Sequence, residues 1–313
     1  MSLRIVFFGT GEFAVPSFEA LRASGHQVLR AVCQPDRPKG RGHQLQAPPL
    51  KLAALGAGVE VFQPEKVRDA DAVARVLEGG PDLAVVVSYG QLLPEAVLKG
   101  PRLGCVNVHA SLLPRWRGAA PIEWALASGD PETGVSIQRM VRQLDAGDVL
   151  AVWSRRLTAA DEAPALHREL AVEGAHLLLK AVAELEAGTA QARPQDPAAV
   201  TLAPLLKKSD GVLDFSRSRA EVLRRFRAFK ERPGVVAALE GGEPLRVLAV
   251  SDGGERAGVP GTLLEIGAQG FTVACADGVV HLERLRPPSG KEMGAADYAR
   301  GRGLKPGGRF AAP

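Results

Sequence analysis

The sequence predicts an α/β protein in which a doubly wound, mostly parallel sheet is followed by a smaller all-β domain. Over the first part of the chain, short apolar runs alternate with stretches of helical spacing. The last part instead contains short strand patterns separated by Gly and Pro turns. At 313 residues the chain also exceeds one domain of ordinary size, so two domains are expected.

The strands predicted in the first domain are apolar, β-branched runs. They cover residues 4–8, 27–33, 83–87, 105–109 and 135–140. The run at 83–87 is apolar at successive positions, which is typical of strands that are buried on both faces, so helices should cover both sides of the sheet. One long helix is predicted over 163–187, where leucines and valines form a single apolar stripe.

A linker is predicted at 189–205, because this stretch has two closely spaced prolines and few bulky residues. It separates a first domain at 1–188 from a second at 206–313. The second domain should contain a basic helix at 219–230 and short strands that favour a small β-barrel or sandwich. The predicted strands cover residues 235–239, 245–250, 261–266, 271–276 and 279–285.

Composition and charge exclude several classes of protein. The cysteines Cys33, Cys105 and Cys275 lie far apart in apolar runs, which fits neither a metal site nor a disulfide framework and favours a reducing compartment. The N-terminus lacks an apolar run long enough for a signal peptide or a membrane span, so we expect a cytoplasmic protein with no membrane partner. Residues 206–313 hold 18 Lys and Arg against 13 Asp and Glu, which suggests a polyanionic partner or a solvated surface.

A glycine-rich turn follows the first strand and resembles a dinucleotide-binding fingerprint. Gly9, Gly11 and Ala14 form the pattern G-x-G-x-x-A before a helix. However, the second strand does not end on an acidic residue, since Asp36 comes only after Gln34 and Pro35. We therefore favour a turn that flanks a different ligand at the carboxyl edge of the sheet.

The residues most indicative of chemistry lie at the end of the strand at 105–109. Asn107 and His109 are two positions apart, so their side chains project from the same face at the edge where open α/β sheets bind ligands. Downstream, Asp145 lies in the turn LDAGD between two apolar runs. Taken alone, a turn aspartate or a strand-end histidine is usually structural.

Together these segments carry a resemblance. The segment NVHASLLPRWRGAAPI at 107–122 and the LDAGD turn resemble the active-site segments of the 10-formyltetrahydrofolate-dependent formyltransferases. The resemblance is strong over residues 1–160 and looser after 205. It implies a Rossmann-like first domain, an OB-like barrel as the second, and transfer of a formyl group from 10-formyltetrahydrofolate to an amine without a metal.

The resemblance also implies roles for individual residues. Asn107, His109 and Asp145 become the catalytic trio, and two segments should bind the reduced folate. These folate-binding candidates are Tyr89, Gly90, Leu92, Ser111, Leu112, Leu113 and Pro114. Two departures from the family pattern are Glu123, where glutamine is frequent, and the stretch FKERPGV at 229–235, where an Asn and a Trp-Pro pair are frequent.

A cationic loop at 35–48 identifies the expected acceptor. By resemblance it is similar to the long basic loop of family members that act on methionine attached to the initiator tRNA, so Arg37, Lys39 and Arg41 become the candidate tRNA contacts. The second domain is a further candidate for tRNA contact, and a monomer is expected. The alternatives are a formyltransferase for a small amine such as glycinamide ribonucleotide or an aminosugar nucleotide, an NAD-linked oxidoreductase, and a non-catalytic RNA-binding module.

Overall fold

The computed structural model describes residues 2–39 and 44–311. The contacts between residues divide the chain into two compact units. The first comprises Met1–Pro121, Glu132–Arg156 and Leu166–Ala203, and the second comprises Ile122–Pro131, Leu157–Ala165 and Pro204–Pro313. Each unit has its own sheet, which confirms the predicted α/β fold with an antiparallel C-terminal domain.

Each strand predicted in the first domain is present, and at least one helix lies between each of these strands and the next. In chain order the helices and strands up to residue 203 are β1 (Arg4–Gly9), α1 (Val15–Ala23), β2 (Gln27–Val32), β3 (Arg37–Lys39), β4 (Gln44–Gln46), α2 (Pro49–Gly56), β5 (Glu60–Phe62), α3 (Ala70–Leu77), β6 (Leu83–Val87), α4 (Glu95–Lys99), β7 (Cys105–His109), β8 (Arg117–Gly118), α5 (Pro121–Ser128), β9 (Glu132–Arg139), β10 (Val149–Arg156), α6 (Ala163–Ala187) and β11 (Leu202–Ala203).

The central sheet has seven strands in the order β10-β9-β7-β6-β1-β2-β5. The pairs from β7 across to β5 are parallel, whereas β9 runs antiparallel to β7 and β10 antiparallel to β9. The chain order reverses between β1 and β6, and the carboxyl edge beside such a switch is where open α/β sheets bind ligands. Strand β7, which carries Asn107 and His109, lies next to β6 on this edge.

Helices cover both faces of the sheet, as the continuous apolar strands require. On one face Val6, Phe8 and Val86 form a buried cluster with side chains of α3 and α4. On the other face Phe7 packs edge to face against Phe18 of α1 with ring centroids 5.6 Å apart, a geometry worth about 0.5–1.5 kcal/mol beyond the buried area. No helix in the described ranges combines the length and the apolar character needed to cross a membrane.

The second unit is built on an antiparallel sheet in the order β12-β13-β16-β15-β14. Its further elements are α7 (Arg219–Phe229), β12 (Val236–Ala237), β13 (Leu245–Asp252), β14 (Leu263–Gly267), β15 (Gly270–Cys275), β16 (Gly278–Arg286), β17 (Met293–Gly294) and α8 (Ala295–Arg302). Bridges from Arg309 to Thr262 and from Phe310 to Leu239 join the two ends of this sheet. Phe310 is buried against Phe215 and Phe271, so the end of the chain closes a small barrel around an aromatic core.

Candidate active site

Strand β7 presents two polar side chains on one face at its carboxyl end. Asn107 and His109 are polar, yet they are only 8% and 6% exposed. The antiparallel partner β9 places Gln138 opposite Asn107 and Ser136 opposite His109. Four buried polar side chains therefore line the same part of the sheet, and buried polar groups of this kind require hydrogen-bond partners.

Asp145 lies in the connection between β9 and β10 and faces this polar group. Its backbone adopts a left-handed conformation with φ of 47°, which costs on the order of 1–3 kcal/mol for a residue other than glycine. Two residues later Gly147 packs so closely on β9 that a Cβ atom would lie 1.7 Å from the carbonyl oxygen of Arg139. The turn is therefore held in one conformation by contacts with the strand beneath it.

The carboxyl group of Asp145 accepts hydrogen bonds at both oxygens. The backbone N–H of Gly118 donates to Oδ2 at 2.9 Å, and Nε2 of Gln138 donates to Oδ1 at 2.9 Å. Nδ2 of Asn107 also points to Oδ1 at a longer 3.4 Å. These donors fix the direction of the carboxylate, while the long Asn107 contact leaves that amide easy to redirect.

His109 lies between two acceptors. Its Nε2 lies 2.9 Å from the carbonyl oxygen of Trp116, and its Nδ1 lies 3.8 Å from Oδ2 of Asp145. The contact of Nε2 with the carbonyl oxygen is a hydrogen bond, whereas 3.8 Å from Nδ1 to the carboxylate is too long for one and brings the two groups together only electrostatically. The structure therefore brings the three predicted catalytic side chains, Asn107, His109 and Asp145, together around one carboxylate.

The loop after β7 is rigidly bonded to itself and to β9. The hydroxyl of Ser111 donates to the carbonyl of Arg115 at 2.6 Å, and Ser136 Oγ donates to the carbonyl of Ser111 at 2.7 Å while accepting from the N–H of Leu113 at 3.1 Å. Leu112 packs against Gly134, where a Cβ atom would lie 2.6 Å from its Cδ2. The side-chain hydroxyl of Ser111 is therefore bonded within the loop. A folate contact from residues 111–114 would have to come from other atoms of this segment, including those of Pro114.

The segment after β6 reaches the same edge of the sheet. The carbonyl of Tyr89 accepts from Thr10 Oγ1 at 2.9 Å and from Gln34 Nε2 at 3.2 Å, while its ring is buried against Phe8. Both acceptor positions of that carbonyl are therefore filled. The folate role predicted for Tyr89, Gly90 and Leu92 stays a prediction; Leu92 is 76% exposed and available to a ligand.

The glycine turn is explained by packing. A Cβ atom on Gly9 would lie 2.6 Å from Cβ of Ala14, whereas one on Gly11 would meet nothing within 4 Å. Asp36, the first acidic residue after the second strand, accepts from Gln63 at 2.7 Å and from Lys51 Nζ at 2.7 Å. These bonds hold the pKa of Asp36 below its ordinary value. Its carboxylate is thus already bonded to two side chains of this protein.

Comparison with known proteins identifies the family. The formyl transferase family matches residues 3–182, and the C-terminal domain of formyl transferases matches residues 205–303. The chain belongs to the formyl transferase family. Relatives include the methionyl-tRNA formyltransferase of Geobacter metallireducens, 41% identical over 98% of both chains, and that of Ectopseudomonas mendocina, 45% identical over 96% of this chain and 95% of the relative.

Solved structures share the formyl transferase fold at lower identity. HypX from Aquifex aeolicus in complex with tetrahydrofolic acid has a TM-score of 0.64 at 19% identity, over 96% of this chain and 47% of that one. The N-formyltransferase from Helicobacter canadensis in complex with folinic acid and dTDP-3-aminofucose has a TM-score of 0.65 at 14% identity, over 90% and 99%. Membership of this family places the chain among transferases rather than among NAD-linked oxidoreductases or non-catalytic RNA-binding modules.

The cationic loop of this formyl transferase is partly described. Its two arms, β3 and β4, pair antiparallel. Arg37 lies on the first arm, 3.1 Å from Glu65, and Lys39 ends that arm. Arg41 lies outside the described residues. Within the described ranges there is no group of three or more His, Cys, Asp and Glu side chains arranged to hold a metal ion.

The structure adds polar residues to the site that the sequence interpretation missed. Gln138 donates directly to the Asp145 carboxylate, and Gln195 donates to the backbone of the same turn. For Gln138 a signal existed, because Ser136 and Gln138 are polar at positions that alternate with the apolar Val135 and Ile137. Gln195 lies in a proline-containing stretch without periodicity, where the sequence predicted a linker.

Proposed function

We propose that this chain transfers the formyl group of 10-formyltetrahydrofolate to the amino group of methionine on the initiator tRNA, giving N-formylmethionyl-tRNA. The observation that carries the proposal is that relatives 41% and 45% identical, matched over at least 95% of their length, are named methionyl-tRNA formyltransferase. The cluster of Asn107, His109 and Asp145 at the carboxyl edge of the sheet supports it, because acyl transfer needs a hydrogen-bond donor for the oxyanion and a group that transfers a proton.

The reaction forms one bond and breaks another at the formyl carbon. The methionine nitrogen attacks that carbon, the bond from carbon to N10 of the folate breaks, and one proton passes from the amine to the departing nitrogen. Negative charge develops on the formyl oxygen during the attack, so a hydrogen-bond donor aimed at this oxygen stabilises the transition state. We assign this role to Nδ2 of Asn107, since its present 3.4 Å contact with Asp145 is weak and is readily exchanged.

We assign two roles to His109, transfer of the amine proton and donation of a hydrogen bond to the oxyanion. Its Nε2 exchanges the bond to the Trp116 carbonyl for one to the substrate, and it then donates to the oxyanion or carries the amine proton. Asp145, 3.8 Å from Nδ1, orients the ring and stabilises the imidazolium electrostatically. Because these donors supply the electrostatic stabilisation, the proposed mechanism gives no role to a metal ion.

We further propose where the two substrates bind. The folate lies along the carboxyl edge of β6 and β7, between Tyr89, Gly90 and Leu92 on one side and the loop from Ser111 to Pro114 on the other. Strands β6 and β7 are adjacent and parallel, which brings the two segments to one edge. The tRNA contacts the cationic loop through Arg37, Lys39 and Arg41, and the protein acts as a monomer.

The test is a competition among acceptors. The purified protein is incubated with 10-formyltetrahydrofolate and, in parallel, with charged initiator tRNA, glycinamide ribonucleotide and an aminosugar nucleotide. Mass spectrometry then shows which amine gains a formyl group. We expect formylation of the charged tRNA; preferential formylation of a small amine would replace the proposed acceptor, and light scattering of the active sample checks the monomer.

A further inference from the structure

Residues 193–203, called here the strap, bind back onto the loops of the active site. At one end Arg193 and Val149 exchange two backbone hydrogen bonds of 2.8 and 2.9 Å. At the other end β11 pairs in parallel with β8, and the N–H groups of Arg117 and Ala119 donate to the carbonyls of Thr201 and Ala203. The approach is so close that a Cβ atom on Gly118 would lie 2.5 Å from the Ala203 carbonyl oxygen.

Gln195 joins the two loops through a single side chain. Its Oε1 accepts from Nε and Nη2 of Arg117 at 3.0 and 2.8 Å. Its Nε2 donates to the backbone carbonyls of Asp145 at 2.8 Å and Gly147 at 2.7 Å. One amide group therefore uses both its donor and its acceptor capacity to connect the loop after β7 with the aspartate turn.

The bonds from Gln195 reach the backbone of the turn that carries the Asp145 carboxylate. Asp145 has the left-handed backbone described above, and such a conformation persists only when its surroundings determine it. The bonds from Gln195 to the carbonyls of Asp145 and Gly147 hold the backbone of the turn, whereas Gly118 and Gln138 hold its carboxylate. The direction of the carboxyl group, and hence its place between Asn107 and His109, depends on this backbone.

We infer that Gln195 is a positioning residue for the proposed formyl transfer, and that it holds the aspartate turn in its reactive geometry. The expected effect on kcat rests on the proposed function, whereas the expected effect on the conformation of the aspartate turn does not. Gln195 contributes no atom to the reacting groups. It raises the rate because a displacement of about 1 Å in a catalytic group can reduce turnover by about 100-fold.

The decisive variant is Gln195→Glu. A glutamate retains the length of the side chain and its bonds to Arg117, but it presents an oxygen, not an N–H group, to the two turn carbonyls. Repulsion then acts on the aspartate turn alone. We expect kcat to fall by roughly 10- to 100-fold, with the KM values for folate and charged tRNA within about threefold of the unaltered protein.

Gln143→Glu is the matched control. Gln143 lies two residues before Asp145 and is exposed, so the variant adds the same charge near the aspartate turn on a side chain that faces solvent. We expect its kcat to remain within about twofold. An equal loss of kcat in the two variants would assign the effect to charge and overturn the role of Gln195.

Amide hydrogen exchange provides a readout that does not depend on activity. The N–H of Gly118 donates to the Asp145 carboxylate, whereas those of Arg117 and Ala119 donate to the strap. In Gln195→Glu we expect faster exchange at Gly118 with little change at its two neighbours. Uniform loss of protection at all three would indicate that the strap itself has opened, and that result also contradicts the inference.

The two proposals fail in different ways. If the unaltered protein transfers no formyl group to charged tRNA, the proposed function fails, and the exchange of Gly118 alone then decides the positioning role. Unchanged protection at Gly118 in Gln195→Glu, or unchanged kcat in an active enzyme, overturns that role. Thermal unfolding of both variants verifies that they are folded.

Discussion

The carboxyl group of Asp145 is surrounded by donors from three parts of the chain. The N–H of Gly118, the amide of Gln138 and, at longer range, the amide of Asn107 all point at it, and an ionised carboxylate is the one group that can accept from all of them. The imidazole of His109 completes this environment at 3.8 Å. The electrostatics of the site therefore depend on one carboxylate, partly exposed to solvent, that several residues contact.

Replacing His109 tests the proton route. In His109→Ala the proposed carrier of the amine proton and one donor to the oxyanion are both removed, so we expect kcat to fall by about 10²- to 10⁴-fold. Binding of charged tRNA, followed by filter retention or fluorescence, should remain largely intact. Turnover near that of the unaltered protein would remove His109 from the mechanism.

Gln138→Glu tests the charge of the cluster through its pH dependence. The variant puts a second carboxyl group 2.9 Å from Oδ1 of Asp145, and two carboxyl groups this close share a proton. Like charges favour the protonated form, so the acidic limb of the kcat/KM profile should move to higher pH. A profile that coincides with that of the unaltered protein would show that ionisation at this position does not control the rate.

At the scale of elements, substitutions in the turn after β1 test whether its glycines are needed for packing. We predict that Gly9→Ala lowers the free energy of unfolding by about 1–3 kcal/mol, because its Cβ would clash with Ala14 and with the carbonyl of Val87. Gly11→Ala, in the same motif, has open space and should stay within about 0.5 kcal/mol. Urea denaturation measures both; equal losses would contradict the packing explanation.

The elements that the sequence predicted best are those with a strong and local signal. Strands β6 and β7 and helix α6 have the predicted bounds, because the strands carry β-branched apolar residues and the helix has one apolar stripe over its whole length. Strand β10 was missed because it lies at the edge of the sheet, where alternate side chains are exposed and the pattern VLAVWSRR is diluted. The close approach of Gln195 to the aspartate turn depends on contacts 50 residues apart, which no local pattern encodes.

At the scale of the whole molecule, the three cysteines contribute to the pH dependence of stability. Burial raises the pKa of Cys33 to about 11 and of Cys275 to about 12, and also raises that of Cys105. Because an exposed thiol titrates near about 8.5, the unfolded chain loses these protons first. Their contribution to stability is present below that pH and is lost as pH rises towards the folded values.

We therefore predict a fall in the free energy of unfolding above about pH 8.5 that is smaller in Cys33→Ala than in the unaltered protein. Alkylation by iodoacetamide at pH 8 should be slow in the folded protein and rapid in denaturant, as followed by intact mass. Rapid labelling of the folded chain would show that the thiols are accessible.

The cationic loop should affect the large substrate and not the small one. We predict that Arg41→Ala raises KM for charged tRNA by about 10-fold, equivalent to the loss of a contact worth about 1.4 kcal/mol, while KM for the folate stays within about twofold. Arg37→Ala is a useful comparison, because Arg37 already pairs with Glu65 and should have a smaller effect. Equal losses for both substrates would argue against a tRNA contact.

The strap also bears on how such chains can exchange parts during evolution. The two family matches end at residue 182 and resume at residue 205, so the strap lies in the interval that neither covers. A recombination event at the end of α6 would bring in a foreign strap that has to fit Arg117 and the aspartate turn. Crossovers that preserve catalysis should therefore fall after Ala203, and hybrid genes joined at that point should yield active enzymes more often than those joined some 20 residues earlier.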